Sequence, residues 1–193
     1  LIIIFNCLEH ISNVKKTIKY LNKNLKKTGR ILVEVPDVTR QIKKADFNML
    51  TFEHYNYFTP YSLNKLFKKE KFRLLNYKSY NDTLFCVFEK KKLKEKNTRP
   101  VKFDLRKYKK KLIRLKKVFN YLLKKNMNIG IHGANFGAFN ILFLLNFTKE
   151  KKIKIFDADD GKVGKYFGSK FMKVKKAYSN EYKKIDVLFI SAL

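Results

Sequence analysis

A glutamate and a histidine stand next to each other, at Glu53 and His54, within the stretch TFEHYNYFTP at residues 51–60. A histidine that titrates near neutral pH is the usual general base, and a neighbouring carboxylate can orient its ring or stabilise its protonated form. The aromatic residues around the pair are Phe52, Tyr55, Tyr57 and Phe58. Aromatic walls lower the local dielectric constant and shape pockets, so the stretch predicts a base in a substrate pocket. The alternative is a surface loop beside a core aromatic cluster.

A second polar stretch, NCLEHI at residues 6–11, follows the apolar run LIIIF that opens the chain. Such β-branched runs are typical of strands buried on both faces of a parallel sheet. Ligands of these sheets bind at the carboxyl ends of the strands. The residues predicted to line a cofactor crevice there are Asn6, Cys7, Leu8, Glu9 and His10. The alternative is a helix N-terminus at which Glu9 complements the helix dipole.

The stretch HGANFG at residues 132–137 follows a strand-like run and opens a helix-like one. Helix N-terminal amides attract anions, and Asp157 closes the next strand about 20 residues later, where ribose-binding carboxylates fall. The predicted substrate-binding residues are Gly133, Asn135, Gly137 and Asp157. The full GxGxxG pattern is not matched, and a tight packing turn is the alternative.

The 193-residue chain carries a formal net charge of +29. That charge favours non-specific binding to nucleic acid or anionic membranes through counterion release. However, the lysines are spread along the whole chain and greatly outnumber the arginines, whereas base recognition favours arginine and grooves favour clustered charge. We therefore expect no specific nucleic-acid partner, and a basic nucleic-acid-binding protein stays an alternative.

Cysteine and acidic patterns give no metal signature. Cys7 and Cys86 lie in apolar runs without CxxC or Cys/His spacing, so neither a structural zinc site nor a disulfide framework is expected. The stretch at residues 157–168 has a DxDxG pattern but lacks the terminal glutamate of a calcium loop. No apolar run approaches the length that spans a bilayer. These features predict a protein of the reducing cytoplasm with no membrane span and no metal.

The elements that must position these residues follow from periodicity. Apolar residues at spacings of three and four after NCLEHI predict an amphipathic helix that ends at Gly29, and RILVEVPD predicts a second buried strand. The order strand, helix, strand implies a parallel pair. A short helix after Pro60 and two strands flanking Asn81 and Asp82 then predict an antiparallel hairpin.

The charged stretch at residues 90–100 predicts a domain boundary, with domains at 1–92 and 101–193. An apolar seam from Leu105 to Leu122 predicts a long helix that packs on its own domain, with a short coiled coil as the alternative. The rest of the chain predicts a second α/β unit with a nucleotide-fold layout. Because both ends fall in apolar strands, we expect the sequence to be truncated at both ends.

In order and spacing, these motifs resemble the SAM-dependent C-methyltransferases of deoxysugar biosynthesis and their relatives in surface-polysaccharide gene clusters. The motifs similar to the second half of the family's SAM-binding domain are CLEHI, TGRILVEVPD, DFNMLTFEHYNYFTP with SLNKLF, and the hairpin. Those similar to its C-terminal domain are IHGANFGAFNILFLL, IFDADDGKVGKYFGS and DVLFISA. The resemblance implies the C-terminal half of a class I methyltransferase Rossmann-like domain ending in an antiparallel hairpin, followed by a second, truncated Rossmann-like α/β domain.

The resemblance implies methyl transfer from S-adenosyl-L-methionine (SAM) to a carbon next to the ketone of a nucleotide-linked 4-keto sugar. The family's Glu-His pair matches Glu53 and His54, which implies that His54 is the base and that Glu53 supports it. Tyr57 is our candidate donor to the developing oxyanion. Thr51 replaces a frequent tyrosine of the family, and the glycine-rich SAM loop is not in this sequence, so the fragment alone is expected to lack most of the methyl-donor site and to be inactive. The alternative is a non-catalytic nucleotide or sugar-nucleotide binding module.

Overall fold

The structure, a computed structural model, describes residues 1–51, 53–90, 96–168 and 172–191. The chain divides into two compact units, the first formed by residues 1–44 and 51–103 and the second by residues 45–50 and 104–193. Both units combine helices with a four-stranded sheet, which confirms the predicted α/β class. Some residues of predicted features lie outside the described ranges, namely Phe52, residues 91–95 of the charged stretch, Ser169, Ala192 and Leu193.

The first unit contains one mixed sheet with the strand order β1-β2-β4-β3. Its strands are β1 (Ile2–Phe5), β2 (Arg30–Pro36), β3 (Arg73–Tyr80) and β4 (Thr83–Glu89). Its helices are α1 (Val14–Asn24), α2 (Thr39–Lys44) and α3 (Pro60–Lys69). β1 and β2 are parallel, and β4 is antiparallel to both β2 and β3, so the predicted parallel pair and hairpin are both present.

The hairpin turn between β3 and β4 uses the two residues that the sequence indicates. Asn81 and Asp82 have φ angles of 47° and 58°. Asparagine and aspartate tolerate this left-handed region better than other residues with a side chain. A two-residue turn with both φ angles positive matches the twist of the flanking strands, which explains the tight connection.

The first helix ends earlier than predicted. α1 stops at Asn24 with Leu25 as its C-cap, so the expected end at Gly29 is wrong. A Cβ atom at Gly29 would lie 2.6 Å from the Leu25 side chain. The glycine is therefore needed for close packing against Leu25 in the connection to β2, and the helix ends without it.

The prediction that the first strand is buried on both faces is also wrong. Ile2 and Ile4 pack against the core of the first unit, but Ile3 and Phe5 are 52% and 53% exposed. The reason is that, within the described residues, only one face of β1 is covered, so alternate side chains are left exposed.

An aromatic stack lies at the centre of the first unit. The rings of Phe67 on α3 and Phe88 on β4 are parallel, with centroids 4.0 Å apart, and Phe72 meets Phe67 edge to face. All three rings are almost completely buried among aliphatic side chains of α1 and β2. This stack joins the helix that follows the Glu53–His54 loop to the middle of the sheet.

The second unit contains a parallel sheet with the strand order β7-β6-β5-β8. Its strands are β5 (Ile129–His132), β6 (Ile153–Asp157), β7 (Val174–Lys176) and β8 (Val187–Ile190), and its helices are α4 (Leu105–Lys124) and α5 (Phe136–Leu144). The strand β7 was not predicted because its sequence, VKK, carries a single apolar residue.

The long helix α4 packs within its own unit, as expected. Its residues Phe119 and Leu122 are buried in the core that also contains β5 and β6. Although α4 has 20 residues, it is rich in lysine. None of the helices in the described ranges combines the length and apolarity that crossing a bilayer requires.

Residues 45–50 belong to the second unit although they lie early in the chain. The Asn140 side chain on α5 donates to the carbonyl oxygens of Phe47 and Leu50 at 2.9 and 2.6 Å. The Phe47 ring meets Tyr108 of α4 edge to face, with centroids 5.3 Å apart. A Cβ atom at Gly137 would overlap the Asn48 side chain, so glycine is needed where this segment crosses α5.

Replacing Phe67 tests the central stack. We expect Phe67→Ala to lower the free energy of unfolding by about 3–5 kcal/mol, because it leaves a cavity beside Phe88. Phe5→Ala, which removes a half-exposed ring, is the matched control and should change it by less than about 1 kcal/mol. Urea unfolding of both variants measures the difference, and equal losses would contradict this assignment of the core.

Candidate active site

The loop that carries His54 is docked on the segment that follows β1. The backbone N–H groups of Tyr55 and Asn56 donate to the carbonyl oxygen of Glu9 at 2.8 and 3.1 Å. The Asn56 side chain donates to the carbonyl oxygens of Leu8 and Ile11 at 3.1 and 2.7 Å. These four hydrogen bonds bring together two of the predicted stretches. Sequence reasoning missed Asn56, because an asparagine in a polar loop gives no signal of its own.

Two histidines and a glutamate form a cluster at this junction, the Glu9–His10–His54 cluster. The rings of His10 and His54 meet edge to face with centroids 4.9 Å apart. The Nε2 atom of His10 lies 3.8 Å from Oε1 of Glu9. One potential ligand atom from each of the three residues lies within 4.8 Å of the others. The cluster lies next to the carboxyl end of β1, where parallel sheets bind ligands.

Glu53 contacts the cluster through its backbone. Its carbonyl oxygen accepts a hydrogen bond from Nδ1 of His10 at 3.0 Å, whereas its side chain is exposed. The carboxylate that faces the histidines is that of Glu9, which is only 2% exposed. The sequence placed Glu9 in this crevice but did not indicate that it would be buried.

Tyr57 holds the loop closed. Its hydroxyl donates to the carbonyl oxygen of Thr51 at 2.9 Å and accepts from the N–H group of the same residue at 3.1 Å. The ring centroid of Tyr57 lies 5.9 Å from that of His54. In this conformation the hydroxyl proton is therefore engaged beside the predicted base, and donation to an oxyanion requires that the bond to Thr51 be released.

The other predicted cofactor-binding residues differ in exposure. Asn6 has a φ angle of 42°, and its N–H group donates to the Glu34 carbonyl oxygen at 3.1 Å. Asn6 and Cys7 are exposed at the end of β1. Leu8 is fully buried in the core, because the chain makes a single 3-10 turn from Leu8 to His10 that directs this side chain inward. Its contribution to the loop is the carbonyl oxygen that binds Asn56.

The two cysteines are free thiols in different surroundings. Cys7 is exposed, and Cys86 lies in the core of the first unit. Burial, together with the nearby Asp37 carboxylate, raises the pKa of the Cys86 thiol to about 12. Cys86 is therefore un-ionised at neutral pH and is a packing residue.

A separate open cleft of about 1090 Å³ lies elsewhere on the first unit. Its lining includes Arg40, Tyr77, Asp82 and Arg99, but none of the three residues of the Glu9–His10–His54 cluster. Arg40 and Asp82 form an ion pair at its edge. We assign no catalytic role to this cleft, because Asp82 is paired with Arg40 and the buried Asp37 carboxylate accepts hydrogen bonds from the Thr39 N–H group and the Ser79 hydroxyl.

The four predicted substrate-binding residues of the second unit gather around the carboxyl ends of β5 and β6. Gly133 has a φ angle of 102°, and its N–H group donates to the Phe156 carbonyl oxygen at 2.8 Å. The Asn135 side chain caps α5 by accepting from the Ala138 N–H group at 3.0 Å. Gly137 is buried against the Asn48 side chain. Each of these three residues thus has a structural task in the turn.

Asp157 accepts hydrogen bonds from groups close to it in the second unit. Its carboxylate accepts from the N–H groups of Ala134 and Asp159 at 2.8 and 2.9 Å and from Nζ of Lys162 at 3.1 Å. Burial alone would raise the pKa of Asp157, but these hydrogen bonds and the lysine charge outweigh it and hold the pKa below its ordinary value. The carboxylate therefore ties β6 to the turn after β5.

Comparison with known protein families bears on the first unit. Residues 1–77 match the model of a family described as a methyltransferase domain. A search of curated proteins gave no match. The matched residues run from β1 into β3 and include the whole Glu9–His10–His54 cluster. The match confirms the predicted enzyme class, a methyltransferase.

Asn56 is expected to fix the loop. Asn56→Ala leaves two backbone carbonyl oxygens without their side-chain donor and should lower the free energy of unfolding by about 1–3 kcal/mol. Hydrogen exchange at the backbone amides of residues 55 and 56 should accelerate. Both amides donate to the Glu9 carbonyl oxygen, and the variant holds the loop in that docked position less firmly. The exposed Asn97, changed to alanine, is the control. Unchanged exchange at both amides would show that the loop is held by other contacts.

Asp157 gives a pH-dependent test. Its pKa is depressed in the folded state, so its stabilising effect is complete above the ordinary carboxyl pKa of about 3.9 and is lost as the pH falls towards the depressed value. Asp157→Asn should destabilise the protein by about 1–3 kcal/mol at pH 7. The gap between variant and wild type should narrow below about pH 4.

Urea unfolding from pH 7 to pH 3 measures this gap. Asp160→Asn, a change at an exposed carboxylate, should shift the free energy of unfolding by less than about 1 kcal/mol at either pH. A gap for Asp157→Asn that is constant across the whole range would contradict the assigned role of its charge.

Proposed function

We propose that the chain is part of a SAM-dependent C-methyltransferase that acts on a nucleotide-linked keto sugar of surface-polysaccharide or deoxysugar biosynthesis. In this proposal the first unit is the C-terminal half of a class I methyltransferase domain, and the second is a Rossmann-like domain. The observation that carries it is His54, held beside His10 and Glu9 at the carboxyl end of β1, in the segment that matches a methyltransferase domain.

The proposed cofactor-binding groups fit the place where open parallel sheets hold a ligand. Asn6, Cys7 and His10 are exposed after the end of β1, and the backbone of Asn6 has a left-handed φ angle there. Leu8 and Glu9 contribute backbone carbonyl oxygens that hold the loop. When bound, SAM supplies an electrophilic methyl group on a sulfonium. The residues of this chain then have to hold the acceptor and take its proton.

His54 is proposed as the general base. Its ring would remove a proton from the carbon next to the ketone and hold it as an imidazolium, which would leave the electron pair of the broken C–H bond on the acceptor as an enolate available to the methyl donor. The buried Glu9 carboxylate stabilises the positive ring, because opposite charges within a few ångströms interact strongly where water is excluded. Glu53 supports the arrangement through the carbonyl oxygen that orients His10. Tyr57 is proposed to donate to the enolate oxygen after leaving Thr51.

The second unit is proposed to hold the nucleotide part of the substrate at the turn after β5. Its support is the position of the turn at the N-terminus of α5, at the carboxyl edge of a parallel sheet. Since both Asp157 oxygens already accept hydrogen bonds, this carboxylate would shape the turn and not bind ribose directly. Titration of a nucleoside diphosphate sugar into the whole chain tests the site, and the absence of saturable binding would count against it.

The chain is further proposed to act in the reducing cytoplasm, a placement supported by two cysteines that are both free thiols. The alternative of a nucleic-acid-binding protein has less support. The family match indicates an enzyme, and the positive charge is spread over both units. Measuring nucleic-acid affinity against salt concentration tests this alternative, because electrostatic binding to nucleic acid falls steeply as the salt concentration rises.

Removal of the proposed base is the direct test. In protein from the complete reading frame, His54→Ala should lower turnover by about 100-fold or more while SAM affinity stays nearly constant. Tyr20→Ala, which removes an exposed ring on α1, is the control. Unchanged turnover in His54→Ala would contradict the proposed base and indicate that the loop has a structural role.

A further inference from the structure

The Glu9–His10–His54 cluster contains a buried carboxylate oxygen that the fold leaves unused. Glu9 is 2% exposed, and its Oε2 atom has no hydrogen-bond partner among the residues that the structure describes. A buried charged oxygen without a partner costs free energy, which a proton or a cation in the cluster would offset. The neighbouring groups are two imidazoles, whose unprotonated nitrogens are metal ligands.

The hydrogen bond of His10 prepares it as a ligand. A carbonyl oxygen only accepts, so Nδ1 of His10 carries the proton that is donated to Glu53. In the neutral ring, Nε2 therefore has a free electron pair, and this atom lies 3.8 Å from the Glu9 carboxylate. Metal-binding histidines characteristically donate their second ring nitrogen to a carbonyl or carboxylate in this way, which fixes the tautomer and the ring orientation.

We propose that Glu9, His10 and His54 form a binding site for a divalent cation of the zinc type. Two histidines and one glutamate, with a fourth position open, form a known zinc ligand set. The three ligand atoms lie within 4.8 Å of one another, and ligands around one zinc ion lie about 2.0–2.2 Å from the metal. Closure of the site requires the ligand atoms to approach one another by roughly one ångström, and rotation of the partly exposed His54 ring would supply this while the His10–Glu53 hydrogen bond is kept.

No sequence motif indicates this site, and we expected no metal from the sequence. The two histidines are separated by more than forty residues, so no short motif contains them. They meet because Tyr55 and Asn56 dock on the Glu9 carbonyl oxygen, and the same docking brings the Glu53 carbonyl oxygen to His10.

One consequence rests on the proposed function. A metal ion that uses a ring nitrogen of His54 occupies the electron pair with which this residue would take a proton from the acceptor. Metal-bound and catalytically competent forms are therefore mutually exclusive. Zinc should inhibit methyl transfer at the site itself, and a chelator should restore turnover.

Metal binding is tested on the whole chain after treatment with EDTA, without SAM or acceptor. We expect Zn²⁺ to saturate one site in calorimetry, and Co²⁺ to give visible absorption bands that Zn²⁺ abolishes. Each of Glu9→Gln, His10→Gln and His54→Ala should weaken Zn²⁺ affinity by about 100-fold or more, because even the loss of a group that only orients a ligand costs 10–100-fold.

Two matched variants control for other ligands. His132→Ala removes the third histidine of the chain, and Cys7→Ser removes the exposed thiol nearest the cluster in sequence. Both should bind Zn²⁺ like the wild type. Thermal unfolding in EDTA verifies that each variant is folded. No saturable binding by the wild type, or unchanged affinity in the folded Glu9→Gln variant, would overturn the site.

The outcomes separate this site from the proposed function. Loss of turnover in His54→Ala together with no Zn²⁺ binding would reject the metal site and leave the general base in place. One-site binding that all three ligand variants weaken, in a protein whose turnover does not need His54, would retain the metal site and reject the base. Zinc binding without inhibition would reject mutual exclusion.

Discussion

The candidate site depends on one backbone acceptor, the carbonyl oxygen of Glu9. Two consecutive N–H groups of the His54 loop donate to it, and Asn56 binds the carbonyl oxygens on either side. No side-chain chemistry is needed for this contact, yet it determines which side chains become neighbours. The buried carboxylate, the two imidazole rings and the Tyr57 ring all meet because two peptide groups pair with one oxygen. Of the described loop aromatic residues, Tyr57 holds the loop through two hydrogen bonds with Thr51 and Phe58 is buried, whereas Tyr55 is exposed.

Much of the first unit could be predicted from sequence, because its signals are local. The Asn81–Asp82 turn, the apolar run of β2 and the proline at the start of α3 each specify backbone geometry within a few residues. The rule that ligands bind at the carboxyl ends of parallel strands indicated a crevice at residues 6–10, but it did not predict that the His54 loop would dock there. The α/β class follows from the order of these elements, whereas the methyltransferase class was implied only by the resemblance of the motifs to a known family.

The features that could not be predicted from sequence depend on contacts between residues that are distant along the chain. Three features depend on what packs nearby and not on residue type. They are the burial of Glu9, the exposed face of β1 and the close contact between Gly137 and the Asn48 side chain. The same holds for Asp157, whose position fits a ribose-binding carboxylate but whose oxygens are used to join β6 to the turn after β5. The position of a residue in a motif therefore predicted where the residue lies but not which groups it binds.

The assignment of residues 45–50 to the second unit has a consequence for proteolysis. A single cut between Phe103 and Asp104 breaks one of three chain passages between the units, and the passages at residues 44–45 and 50–51 remain. The C-terminal product is then still bound to the N-terminal product through Asn140, Tyr108 and the glycine at position 137. The two fragments should co-elute in native buffer and separate only when a denaturant releases that hexapeptide.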